Sequence, residues 1–490
     1  MISNDEALYV AFKAKDTRFD GRFFVGIRST GIYCRPVCRA KLAKPQNCTF
    51  FATAAEAEQA GHRPCLLCRP EIAPSSVTDY SANLASRMAK LLEENCANDE
   101  SLAEIANQLH YGERHLRRVF ANEYHISPVK YLQTCRLLLA KSLLTDTNLP
   151  VLDVAMTAGF GSVRRFNDLF KAHYRLTPSA LRKQTSADKP KNGDITLALG
   201  YRPPYHWKEM LNFFAVRAIK GVEVVKDDAY SRTVRLTNTG SADNDTQQTV
   251  GRYVIRNNAS KNALLLTVSE SLLPALPTVL ARVKRQFDLS CDPHAVYETL
   301  QQMNDLRPDL CKLGTRLPGC FDAFEMAVRA VLGQQITVKA AGTLTARLVA
   351  DLGTKVATDV DGLTHVFPSP ADISALGDSA TESLGKLGII ATRSRTIMEL
   401  AKLFQSNELF TIAYSNPENV IQKLLAIQGI GSWTAQYVAM RVFGWTDAFL
   451  ETDFGVKKVL TAYSPKEMLR VAEHWRPWRS YAVVNIWNAL

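Results

Sequence analysis

Cys34 and Cys38 are separated by Arg35-Pro36-Val37, and Cys65 and Cys68 by Leu66-Leu67, with a longer loop between the pairs. Short pairs joined this way are the ligand pattern of a tetrahedral zinc site made of four cysteines. Zinc strips the proton from each thiol it holds, and four thiolates on one divalent ion carry a net charge of about −2. A sulfur in that state is electron-rich enough to attack a methyl carbon. Arg35, Arg39, Lys41, Arg63 and Arg69 crowd around both pairs, a basic surface whose natural partner is a phosphate backbone. Spacing alone is more often that of a scaffold zinc than of a reactive one, and the surrounding residues change that balance.

A second constellation lies near the carboxyl terminus. Leu425-Ala426-Ile427-Gln428-Gly429-Ile430-Gly431-Ser432-Trp433-Thr434-Ala435 reads as helix, glycine hairpin, helix. Gly429 and Gly431 let the backbone approach a phosphate, and the amides around Thr434 that open the next helix can bind its oxygens. A lone Gly-Ile-Gly is weak evidence. Its support is the apolar run Phe449-Leu450 that ends, through Glu451-Thr452, in the carboxylate of Asp453.

Between the two sites, from about Asp79 to Arg182, apolar positions fall at helical spacing and repeat with a period of roughly fifty residues. Leu102-Ala103-Glu104-Ile105-Ala106 recurs as Leu152-Asp153-Val154-Ala155, and Tyr124 with Ser127-Pro128 recurs as Tyr174 with Thr177-Pro178. Each unit predicts a helix-turn-helix whose second helix offers basic and polar side chains. Arg117 and Arg118 stand on the first such helix, Arg164 and Arg165 on the second. One charged helix face often means only solvation; two in tandem make DNA contact the better reading.

A chain of 490 residues with 46% apolar content predicts several cores, and a net charge of +11 favours acidic partners. No apolar run is long enough to span a bilayer, and the start Met1-Ile2-Ser3-Asn4-Asp5-Glu6 lacks the order of a signal peptide, so no membrane partner is expected. Ten cysteines without a secretory framework suit a reducing, cytoplasmic setting. The polar stretch around Pro190 and Gly193 reads as a linker dividing two halves.

Three resemblances follow from these residues. The run Gly26-Ile27-Arg28-Ser29-Thr30-Gly31-Ile32-Tyr33-Cys34-Arg35-Pro36-Val37-Cys38-Arg39, with Arg63-Pro64-Cys65 and Cys68-Arg69-Pro70, resembles the amino-terminal domain of the Ada adaptive-response proteins, which repair methyl phosphotriesters in DNA. That resemblance implies one zinc ion on Cys34, Cys38, Cys65 and Cys68, with Cys34 as the methyl acceptor in a stoichiometric reaction. Loss of one negative charge on methylation then raises DNA affinity. Ala155-Met156-Thr157-Ala158-Gly159-Phe160-Gly161-Ser162, continuing to Phe166, Phe170 and Tyr174, resembles the AraC/XylS regulators, which implies promoter binding in double-stranded DNA and a meeting with RNA polymerase on activation.

The hairpin and Asp453, with Pro203-Pro204-Tyr205-His206-Trp207, Leu317-Pro318-Gly319-Cys320-Phe321 and Trp475-Arg476-Pro477-Trp478-Arg479, resemble the helix-hairpin-helix DNA glycosylases of the AlkA type. The resemblance makes Asp453 the catalytic carboxylate and Phe213, Trp433, Tyr437 and Trp487 the lining of a pocket for an alkylated, cationic purine. Trp433 stands where bifunctional relatives carry a lysine, so hydrolysis without a Schiff base is expected. Gln335 stands at the wedge that fills the space of a flipped base, where AlkA-type enzymes have an apolar residue, and Ile336 is the alternative wedge. No Pro-Cys-His-Arg motif occurs, so no transfer from O6-methylguanine is expected.

The expected fold is multidomain and mainly α. It comprises a small α/β zinc domain (1–75), an all-α tandem helix-turn-helix domain (79–183), a linker (184–194), an α+β subdomain (195–283) and an all-α helix-hairpin-helix glycosylase domain (284–490). The expected function couples stoichiometric methyl transfer to Cys34, transcription regulation and hydrolytic excision of alkylated purines such as 3-methyladenine, without an organic cofactor. The alternatives are a regulator with a silent glycosylase half, and a regulator–glycosylase whose zinc is only structural.

Overall fold

The computed structural model describes residues 5–74, 84–97, 102–184, 194–238, 247–406, 408–410 and 417–490. The predicted linker falls almost wholly outside the described residues, as does the start of the predicted helix-turn-helix domain.

The amino-terminal unit begins with α1 (Asp5–Ala14) and folds around β1 (Phe24–Ile27), β2 (Ile32–Cys34), β3 (Cys48–Phe51) and β4 (Arg63–Pro64), with α2 (Ala54–Gln59) laid across the sheet. Strand order is β3-β1-β2-β4, with β2 and β4 parallel. The β1–β2 hairpin closes at Gly31, whose φ of +62° a side chain would resist. The parallel pairing sets Tyr33 against Pro64, and the Cys65 amide donates to the Tyr33 carbonyl at 3.0 Å, so Cys34 at the end of β2 and Cys65 just after β4 come together.

Among the described residues seven helices follow: α3 (Leu84–Glu94), α4 (Leu102–Leu109), α5 (Glu113–Tyr124), α6 (Pro128–Asp146), α7 (Val151–Thr157), α8 (Val163–Tyr174) and α9 (Pro178–Gln184). The repeat seen in sequence is a repeat of core positions. Ile105, Ala106, Leu116 and Phe120 are buried in the first unit, and Val154, Ala155, Phe166 and Phe170 in the second. The long α6 joins them, started by Pro128 at its first turn and by the Ser127 hydroxyl, which accepts the Lys130 amide.

The zinc domain grips α6 through ionic and polar contacts next to its own cysteines. The Arg69 guanidinium, adjacent to Cys68, donates to both Asp146 oxygens at 2.6 and 2.8 Å, and Lys141 pairs with Glu71, both side chains almost fully buried. Glu58 accepts from the hydroxyls of Tyr33 at 3.0 Å and Thr134 at 3.2 Å. Burial pushes the Glu71 carboxyl up, but Lys141 and Arg69 outweigh it and hold it below its usual range. Its contribution to stability is therefore full above the ordinary carboxylate range and is lost on acidification below it. Lys141→Met removes one of its two partners, and a loss of about 3 kcal/mol in urea unfolding is expected. A change under half that size would mean that Arg69 alone suffices for Glu71.

The carboxyl-terminal half opens with an antiparallel sheet in the order β5-β9-β8-β7-β6, made of β5 (Ile195–Gly200), β6 (Glu223–Lys226), β7 (Ala229–Asn238), β8 (Gln247–Asn258) and β9 (Ala263–Val268). Helices α10 (Trp207–Ala215) and α11 (Leu276–Gln286) pack on it, and mostly helical structure follows. The sequence linker does not mark a division in space. Leu137, Leu144, Phe166 and Phe170 of the helix-turn-helix units belong to the same apolar cluster as Leu197, Phe214, Leu266 and Phe287 of the sheet and its helices. The two halves bury apolar faces that neither covers alone.

Beyond α11, two further apolar clusters form. One is centred on the Ala323–Leu332 and Ala391–Gln405 helices, the other on the Arg479–Asn488 helix, and Tyr437 packs against both. Buried Arg232 and half-buried Arg329 bond Glu325 at 2.6 and 3.1 Å, and Arg232 thereby ties the sheet to the Ala323–Leu332 helix. No helix among the described residues is long and apolar enough to cross a membrane.

Candidate functional sites

The ligand atoms of Cys34, Cys38, Cys65 and Cys68 all lie within 4.8 Å of one another. Sulfurs this close cannot all ionise without a cation. Hydrogen bonds to Cys38, Cys65 and Cys68, together with burial, push the Cys34 thiol far up, while bonds to Cys34, Cys38 and Cys68 hold Cys65 far down. A donor set of this kind fits zinc.

The four sulfurs are not equivalent. Cys68 accepts the Arg35 amide at 3.3 Å, Cys38 the Ala40 amide and Cys65 the Cys68 amide. Each of these bonds draws charge from the sulfur that accepts it.

Two of the expected phosphate-facing arginines do not face outward. Arg35 is 7% exposed. Its guanidinium bonds both Asp20 oxygens and the Cys68 carbonyl, because a buried cation needs a buried anion. Arg69 is held by Glu71 and Asp146. Arg39 and Lys41 are exposed, so the basic surface rests on them. On the recognition helices, Arg117 is engaged by Glu113 and Arg118 lies 3.3 Å from His115, whereas Arg164 and Arg165 stand exposed on α8.

Asp453 caps the Phe454–Val459 helix. Its Oδ1 accepts the Gly455 amide at 2.8 Å, the Val456 amide at 3.1 Å and the Trp487 indole N–H at 2.9 Å. Its Oδ2 accepts the Trp433 indole N–H at 3.0 Å. These four donors fix the plane of the carboxylate. Trp433 stacks on Tyr437 at 4.9 Å and 11°, and Trp487 on Phe213 at 6.1 Å and 25°. All four aromatic residues singled out in sequence therefore gather beside Asp453.

Two cations there escaped the sequence reading. Arg217 lies over the Phe213 ring at 3.8 Å, and buried Arg441 lies 4.7 Å from Phe213 and 5.4 Å from Tyr437, donating to the Tyr437 hydroxyl at 2.7 Å. Their guanidiniums occupy faces that were expected to await a cationic base, which leaves Trp433 and Trp487 as the freer faces. The signal was present: each arginine follows its aromatic partner by four residues, one helical turn. Phe454, directly after Asp453, is 80% exposed at the same site and was also passed over.

The hairpin joins the Pro417–Leu425 and Ser432–Arg441 helices. Gly429 has φ +93° and lies against the Thr396 side chain, so a Cβ fits there neither conformationally nor sterically. Gly431 caps the second helix without a side-chain bond, leaving the first-turn amides to an outside acceptor. Thr434 is corrected in one respect. Its side chain is buried and its hydroxyl accepts from Gln334 at 2.9 Å, so any phosphate contact there falls to backbone amides. Gln335 is exposed with φ +56°, and Ile336 is half-buried.

Four families match successive stretches of the chain: the metal binding domain of Ada at residues 7–71, a helix-turn-helix domain at 105–184, the AlkA N-terminal domain at 196–322 and the HhH-GPD superfamily of base excision DNA repair proteins at 328–472. A probable bifunctional transcriptional activator/DNA repair enzyme AlkA of Mycobacterium tuberculosis is 34% identical over all of this chain and 97% of its own length. The DNA-3-methyladenine glycosylase 2 of Escherichia coli is 34% identical over 59% of this chain and 95% of its own. The bifunctional transcriptional activator/DNA repair enzyme AdaA of Bacillus subtilis is 29% identical over 39% of this chain and 92% of its own. The chain belongs to the family of bifunctional transcriptional activator/DNA repair enzymes in which an Ada metal-binding domain and a helix-turn-helix domain are joined to an AlkA-type glycosylase.

Proposed function

We propose that this protein repairs methylated DNA in two ways and regulates transcription in response, in a cytoplasmic setting. The observation that carries the reading is the Asp453 carboxylate, held by two indoles and a helix terminus beside a group of aromatic side chains. An alkylated purine carries positive charge and leaves readily. As water attacks the anomeric carbon, the C–N bond breaks with its electron pair going to the base, and positive charge grows on the sugar. The fixed Asp453 anion stabilises that charge and orients the water. The indole faces of Trp433 and Trp487 hold the flipped base, and the hairpin amides hold a neighbouring phosphate.

At the other end, a zinc ion bound by the four cysteines would keep them as thiolates. Cys34 attacks the methyl carbon of a neutral phosphotriester. A C–S bond forms, the C–O bond breaks, and the phosphodiester departs with the electron pair. Arg39 and Lys41 attract the backbone, while Arg164 and Arg165 carry most of the helix-turn-helix contact with promoter DNA, which then meets RNA polymerase.

The test incubates the full chain with duplex DNA carrying isotopically labelled methyl groups, followed by separation of protein, free bases and DNA. Label on a Cys34 peptide together with released methylpurine is the expected result. Label on protein alone would overturn the glycosylase reading, and free base alone would reduce the zinc domain to a scaffold.

A further inference from the structure

Two guanidiniums stand among the groups gathered beside Asp453, and among the described residues neither is bonded by a carboxylate. Arg217 donates to the Phe213 carbonyl at 3.2 Å and lies 3.8 Å over that ring. Buried Arg441 donates to the Tyr437 hydroxyl at 2.7 Å and to the Gly319 carbonyl at 3.1 Å, and its Nε has no partner among the described residues. Arg232 and Arg329, by contrast, are each paired with Glu223 and Glu325. Burial pushes the Arg217 guanidinium below its usual range, against the pull of Tyr437 and Asp453. The Asp453 carboxylate thus faces two cations. A desolvated cation without its own anion is costly, and such groups mark places where a negative partner arrives during function. Arg217 is half-buried, so of the two it is the one a base can reach.

We infer that Arg217 is a specificity-determining residue that sorts lesions by charge, favouring damaged purines that are neutral over those already cationic. The inference rests on the glycosylase reading above and deepens it. When water attacks the anomeric carbon of a neutral lesion, the C–N electron pair leaves with the base, which departs as an anion. The proton lost by the water balances the one that the base then takes up. A guanidinium beside the base stabilises that anion as it forms. When the base is already cationic, the same electron pair only neutralises it, and the guanidinium opposes the charge that the base brings into the site. The cost of flipping narrows the neutral class. Hypoxanthine, the deamination product of adenine, faces thymine in a poor pair and opens more cheaply than a normal purine.

The full-length protein would be assayed in single turnover on two duplexes of one sequence, one carrying hypoxanthine opposite thymine and the other 7-methylguanine opposite cytosine. The quantity read is the ratio of the two release rates, from which any misfolded fraction of a preparation cancels. Arg217→Met keeps an apolar side chain over the Phe213 ring and removes the charge. It is expected to raise the ratio of 7-methylguanine to hypoxanthine release about tenfold, the worth of one hydrogen bond to a charged group. Arg217→Lys keeps the charge and should hold the ratio within about threefold of wild type. A rise of less than about threefold in Arg217→Met overturns the inference, as does a shift in Arg217→Lys equal to that in Arg217→Met, or a wild type that releases 7-methylguanine and no hypoxanthine. Release of neither base by the wild type would instead count against the glycosylase reading itself.

Discussion

Asp453→Asn is expected to lower base excision by at least about a thousandfold, the scale set by removing a preorganised charge from a reacting centre. DNA affinity should stay within about twofold, because none of the phosphate-facing groups is touched. The replacement has nearly the same shape. Its oxygen can still take the three donors now on Oδ1, the Gly455 and Val456 amides and the Trp487 indole. Its amide nitrogen then opposes the Trp433 N–H that now bonds Oδ2, which costs about 1 kcal/mol of local stability and leaves the fold intact. Single-turnover excision from methylated duplex, beside anisotropy on the same DNA, separates the two effects. Excision within tenfold of wild type would mean that another group stabilises the sugar cation.

Cys34→Ser is expected to abolish methyl uptake from phosphotriesters altogether, since Cys34 is the proposed acceptor and a serine hydroxyl is a far weaker nucleophile than a zinc-held thiolate. The readout is transferred label by mass spectrometry, with zinc content and unfolding followed alongside. Three cysteines remain to hold a metal, so reduced but measurable zinc is expected together with base release at the wild-type rate. Cys68→Ser provides the contrast: it loosens the site without removing the acceptor. If both variants took up methyl to the same reduced extent, Cys34 would be an ordinary ligand.

Much of this arrangement could be read in the chain beforehand because its signals are local. Cysteine spacing announces a metal, the repeated core positions of the two helix-turn-helix units recur at a fixed interval, and Gly429 of the hairpin sits where only glycine fits. The pocket was legible as a list of residue types, and the geometry adds what the list lacked. The indole N–H groups of Trp433 and Trp487 point at Asp453 from positions 20 and 34 residues away, which no local pattern encodes. Arg35 illustrates the opposite failure. A basic residue between two zinc ligands invites a DNA contact, but its partner Asp20 is 15 residues upstream, and burial of the pair is a tertiary fact. Likewise Arg217 and Arg441 went unread in the sequence, because their shared place over the Phe213 ring joins residues far apart in the chain.

The apolar cluster that runs from Leu137 through Phe170 into Leu197 and Phe287 constrains how such a protein can be taken apart. Deleting everything after α9 would uncover the faces of α6 and α7 that meet β5 and the Glu270–Ala275 turn, and the shortened protein is expected to be less soluble than the whole chain.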